Sequence, residues 1–113
     1  MDDHKLLELA AKATETQLVG LIDDMIAQPD HRKGGFIIRN DRGGDSCWNP
    51  LTDDGDALRL AVRLRLDATF HRGQVYSHKA QPSVFVGAYY GNDAYAATRR
   101  AIVLAAAEIG KNA

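Results

Sequence analysis

Residues 43–60, GGDSCWNPLTDDGDALRL, gather the groups in this chain best suited to chemistry. They hold its only cysteine and its only tryptophan, Cys47 and Trp48, with Asp53, Asp54 and Asp56 just beyond. A thiol just ahead of a helix has its thiolate favoured by the positive helix end. His71 or His78 could supply a base, and a hairpin that presents an imidazole to a helix start would complete a Cys-His hydrolase. Two features oppose it. Asn49-Pro50 and three aspartates stand between Cys47 and the helix body, and those carboxylates disfavour a thiolate beside them.

The stretch Ser46-Cys47-Trp48 partly resembles the surroundings of the nucleophile in papain-type cysteine peptidases. Such peptidases need far more chain than 113 residues, although smaller Cys-His cell-wall peptidases exist. Metal binding has less behind it. In Asp53-Asp54-Gly55-Asp56 the carboxylates are adjacent, where a calcium loop alternates its ligands and closes on a distant Glu. His4, His31, His71 and His78 lack ligand spacing, so neither a metal nor another cofactor is expected.

A binding role draws on other groups. Trp48 offers a ring face for stacking, and Tyr76, Tyr89, Tyr90 and Tyr95 lie on or near a predicted strand meander. Arg72, Arg99 and Arg100 can neutralise phosphates. Trp48, Asn49, Arg72, Tyr89, Arg99 and Arg100 are therefore the candidate ligand-binding set. Trp48-Asn49-Pro50 also has a plainer reading, in which the indole covers the end of the core and Asn49 satisfies a backbone donor.

The bulk properties restrict the class. At 113 residues and 45% hydrophobic content, one domain spanning 1–113 with a modest core is expected. A net charge of −1 argues against a nucleic-acid partner, which calls for a basic face. One cysteine excludes an internal disulfide. There is no apolar run of about 20 residues to span a bilayer, and the acidic start MDDHKLLELA is unlike a signal peptide. A cytoplasmic protein fits. Charge is uneven: residues 2–24 are acidic, whereas 59–79 carry four arginines, Lys79, His71 and His78 against Asp67 alone. Two solvated faces explain this, and so would an anion-binding surface or self-association of opposite halves.

The elements that must position these groups follow from periodicity. Leu7, Ala10, Ala11, Thr14, Leu18, Leu21, Ile22 and Met25 form one stripe, predicting a helix over 5–27, within an N-terminal unit 1–28 closed by Pro29. A short strand is expected over 35–39 and a loop through NDRGGDS. Thr52 or Asp53 caps a second helix that buries Ala57, Leu60, Ala61 and Leu64 and ends at Arg65. Asp56, Arg59 and Arg63 read as its solvated stripe. The period then becomes two. LDATF and QVYSH form a hairpin about His71-Arg72-Gly73, Gln81-Pro82-Ser83 turns the chain, and VFVGAYY is a third strand. Asn92 caps a last helix burying Tyr95, Thr98, Ile102, Ala105, Ala106 and Ile109, with Gly110 as its stop. Its second apolar line, Ala97, Ala101 and Leu104, would meet the first helix or a second copy in a homodimer. The expected class is α+β, an antiparallel meander of three to four strands packed with three helices, in the order α-β-α-β-β-β-α.

Trp48-Asn49-Pro50-Leu51 running into Asp53, Asp54, Asp56-Ala57, then the meander and Ala97-Thr98-Arg99-Arg100-Ala101-Ile102, resembles small phage and prophage proteins of the phage ABA-sandwich kind. The resemblance covers residues 47–110 and leaves the first helix outside. It implies phage ancestry and an α/β sandwich, and brings no catalytic residues. The expected function is a non-enzymatic binding module for a host protein or a small anionic ligand. A Cys-His hydrolase and a self-assembling structural protein are the alternatives.

Overall fold

The computed structural model describes residues 1–22 and 31–113. The described residues form α1 (Asp3–Ala13), β1 (Leu18–Leu21), β2 (Phe36–Arg39), β3 (Asp45–Trp48), α2 (Asp54–Leu64), β4 (Asp67–Phe70), β5 (Gln74–Lys79), β6 (Val84–Tyr89) and α3 (Ala94–Lys111). Two antiparallel three-stranded sheets result, ordered β1-β2-β3 and β4-β5-β6. The fold is α+β, as expected, with a first sheet fuller than the sequence suggested.

The first helix is shorter than its apolar stripe. Asp2 caps it by accepting from the Lys5 N–H at 2.8 Å. At the other end the Glu15 N–H bonds to Lys12 O and the Thr16 N–H to Ala11 O, while Glu15 takes a left-handed φ of 55°. This is a Schellman turn with glutamate where glycine is usual. The Thr14 hydroxyl, buried, bonds back to the helix carbonyls and to the Thr16 hydroxyl at 2.7 Å. Leu18 and Leu21 therefore belong to a strand, because a short apolar run fits either period and the turn decides. The remainder of the expected helix, residues 23–27, lies outside the described residues, as does Pro29.

The loop expected through residues 40–46 is only a tight turn. The Asn40 side chain accepts from the Arg42 and Gly44 N–H groups, both at 3.0 Å, and β3 starts at Asp45. Cys47 thus sits on a strand opposite Ile37, not in a loop leading to a helix.

α2 is capped by Asp53, whose side chain accepts from the Asp56 N–H at 2.8 Å. It ends in a second Schellman turn with Arg65 at φ 57°, and the Arg65 guanidinium donates to Val62 O. α3 starts one residue later than expected, with Asp93 as its cap. Tyr95 is exposed, and Gly110 lies inside α3 instead of ending it. A Cβ at Gly110 would fall 1.9 Å from Leu9 O, so its bareness lets α3 cross α1 closely.

One core unites α1 (Leu6, Leu7, Ala10, Ala11), Phe36, Trp48, α2 (Ala57, Leu60, Leu64) and α3 (Ile102, Val103, Ala106, Ala107). A second cluster sets Ala97 and Ala101 of α3 on Val75 of β5. Two residues of the second apolar line of α3 are thereby spent on the second sheet, because alanines admit the close helix–sheet approach there, while Leu104 packs on the main core that includes α1. Neither α1 nor a second copy covers those two residues. No helix among the described residues is long and apolar enough to cross a membrane.

Candidate functional site

The Trp-Asn-Pro sequence builds a junction between β3 and α2. Trp48 is buried in the main core and Pro50 is fully enclosed. The Asn49 side-chain amide donates to Arg32 O and Lys33 O, each at 3.2 Å, and its carbonyl oxygen accepts from the Leu51 N–H at 3.0 Å. Asn49 main-chain O accepts from Thr52 and Asp53 N–H groups, starting the turn into α2. Gly35 makes room for this, since a Cβ there would lie 2.3 Å from Trp48 O. Trp48 and Asn49 therefore hold the fold at this point.

Beneath the junction lies a carboxylate that the helical pattern places on the outer face. Asp56 is only 4% exposed. Its Oδ2 accepts from the Asn49 N–H and from Arg32 Nε, both at 2.9 Å, and its Oδ1 from Arg59 at 2.6 Å. The expected solvated stripe of Asp56, Arg59 and Arg63 is thus corrected at Asp56, while Arg59 and Arg63 are exposed as expected. Residues 31–35 fold over the start of α2 and seal Asp56 in, while Arg63 bonds to Thr14 O at 2.9 Å. A carboxylate so enclosed is tolerated because both of its oxygens accept, one from two donors and the other from a third. Asp53 joins the network through His31, Arg32 and, at 3.8 Å, Arg59. Burial pushes its carboxyl up, but the His31 bond, the Asp56 N–H and the Arg32 charge prevail and hold it below the ordinary carboxylate range.

Above this network opens a cleft of about 830 Å³ between the first sheet and α2. Its walls are Thr14–Gln17, the β2–β3 hairpin and the exposed side of α2. Ile38, Trp48, Leu58, Leu60 and Val62 supply apolar surface. Arg32, Arg39, Arg59 and Arg63 supply four guanidinium groups, against Glu15, Asp41 and Asp56. Arg39 also pairs with Asp45 at 3.0 Å, an exposed contact that a ligand can outcompete. Cys47 and Ser46 lie on the same wall. The signal for this cleft was weak in the sequence, because its arginines come from three separated segments.

The remaining candidates do not converge on the cleft. His71 packs edge-on against Tyr76 with ring centroids 5.2 Å apart, and His78 stacks on Phe85 and bonds to Thr69 Oγ1 at 2.7 Å. His78 is on β5 of the second sheet and His71 in the β4–β5 turn, whereas Cys47 belongs to the first sheet. Arg72 stands exposed at the β4–β5 turn, and Tyr89 is exposed on β6. Arg99 ties α3 to the start of α2 through Leu51 O and Asp54, at 2.8 and 2.7 Å. Arg100 pairs with Asp3 of α1 at 3.3 Å. Among the described residues there is no group of three or more His, Cys, Asp and Glu arranged to hold a metal. Compared with protein-family models, curated proteins and solved structures, the chain matches none.

Proposed function

We propose that this protein is a non-catalytic binding module that takes a small anionic ligand in the cleft between the first sheet and α2. The observation that carries the reading is four guanidinium groups around a partly apolar cavity of about 830 Å³. Arginine at a cavity wall recognises phosphate or carboxylate by paired N–H donors, and the apolar wall accommodates the uncharged part of such a molecule. We place this activity in the cytoplasm of a phage-bearing host cell, a reading that rests on the resemblance of residues 47–110 to phage ABA-sandwich proteins. The hydrolase reading has less support. A thiol on the cleft wall needs a base, and the hydrogen bonds and ring contacts of His71 and His78 all lie within the second sheet.

A thermal-shift screen with nucleotides, sugar phosphates and di- and tricarboxylates tests the reading. A ligand at 100 times its dissociation constant adds about 2.7 kcal/mol of stability and raises the melting temperature. Arg39→Gln removes a cleft guanidinium that makes only an exposed pair, so it should abolish most of the shift and leave the unliganded melting temperature nearly unchanged. A panel with no shifting compound, or a shift indifferent to Arg39→Gln, refutes the assignment.

A further inference from the structure

Among the described residues, β4 is an open sheet edge. Its four residues are all exposed, and Phe70 keeps 63% of its surface in solvent. α3 packs on β5 and β6, so Ala68 and Phe70 are left uncovered although they share a face with buried Ser77 and Val75. Natural sheet edges are guarded by lysine, proline or a bulge. β1, at the edge of the first sheet, has an irregularity between Leu18 and Gly20. Among the described residues β4, Asp67-Ala68-Thr69-Phe70, has no lysine, proline or bulge, and only its short length and Asp67 guard it.

The direction of its free groups can be read from the pairing. The His71 N–H bonds to Gln74 O, which makes His71 and Gln74 a hydrogen-bonded pair. Antiparallel alternation then turns the main chain of Asp67, Thr69 and His71 toward β5 and that of Ala68 and Phe70 toward the open edge.

We infer that this edge is a dimer surface whose occupant is a second copy of β4, paired antiparallel about a two-fold axis at Thr69. In that register Thr69 faces its own copy. Ala68 lies opposite the second copy's Phe70 and exchanges main-chain hydrogen bonds with it, as does Phe70 with the second copy's Ala68. Small meets large on the uncovered face. On the other face Asp67 lies opposite the second copy's His71, so the strand's one carboxylate meets an imidazole and not another carboxylate. The contact is self-complementary, as a two-fold interface requires. The product is one six-stranded sheet running through both copies. The surface is separate from the cleft, and neither assignment depends on the other.

Sedimentation of the full chain over a concentration series should show mass rising from monomer toward dimer. Thr69→Lys sets two ammonium groups face to face at the axis and should raise the dimer dissociation constant by about tenfold or more, with the far-UV spectrum unchanged. In a Cys47→Ser background, Thr69→Cys should give a disulfide-linked dimer under mild oxidation. The facing pair is of the close, non-hydrogen-bonded kind, with Cα atoms about 4.5 Å apart. Tyr89→Cys, also exposed but on β6 at the opposite edge of the sheet, should not. A mass that stays monomeric to millimolar concentration, a dimer indifferent to Thr69→Lys, or equal cross-linking at both positions overturns the inference.

Discussion

At the scale of single residues, Asp56 organises the most. It reaches from α2 to the main chain of Asn49 and to the guanidinium groups of Arg32 and Arg59, and it is nearly sealed from water. Asp56→Ala takes the acceptor from the buried Asn49 N–H and one of two carboxylates from Arg32 and Arg59, which keep Asp53. The change should cost about 1 to 3 kcal/mol in urea unfolding, where an exposed ion pair would cost under about 1 kcal/mol. A smaller loss would mean that Arg32 and Arg59 find water when the carboxylate is gone. Ser77 is the opposite case: its hydroxyl is fully buried with no hydrogen-bond partner among the described residues. It sits where β5 meets α3, and nothing else in the structure explains it.

Helix ends show how elements are cut from an ambiguous sequence. Both α1 and α2 finish in Schellman turns whose left-handed residue is not glycine, Glu15 at φ 55° and Arg65 at φ 57°. A side chain in that conformation is strained by roughly 1 kcal/mol, which glycine relieves, less the chain entropy that glycine adds to the unfolded state. Glu15→Gly should therefore raise stability by up to about 1 kcal/mol, seen as a higher urea midpoint at an unchanged slope. A loss of stability would show that the Glu15 side chain contributes more than its backbone costs. Arg65 is the less suitable site for this test, because its guanidinium also caps Val62 O. The end of α2 at Arg65 was legible, because a cation there breaks the apolar arc; the turn that ends α1 was not. The usual marker is glycine, and without it the leucines at 18 and 21 continue the stripe of α1 without a break.

Across the whole molecule, α3 is the shared element. Its C-terminal half closes the main core with α1 and α2, and Ala97 and Ala101 cover the second sheet. Its approach to α1 depends on Gly110, where a Cβ would lie 2.8 Å from Leu9 C and still closer to Leu9 O. Gly110→Ala should thus destabilise by about 2 kcal/mol, an overpacking cost against backbone, in a thermal or urea melt. The sign is the informative part. On a free helix the same change adds about 1 kcal/mol through propensity, so a stabilised variant would mean that the helices do not cross this closely.

The sequence alone determined what depends on neighbours along the chain. The period of two in LDATF, QVYSH and VFVGAYY and their turn residues specify the second sheet. Apolar spacing and an aspartate cap specify α2, and Trp48-Asn49-Pro50 marks its approach. What only the tertiary structure decided depends on segments far apart in sequence. The first sheet forms because β2 is flanked by two partners that look like helix and loop on their own. Asp56 is buried because Arg32, 24 residues earlier, is folded onto it. The cleft exists because its arginines come together from β2, α2 and the segment between β1 and β2. Local pattern records which side chains share a face; it does not record what covers that face, and burial, charge pairing and the shape of a binding site all follow from the cover.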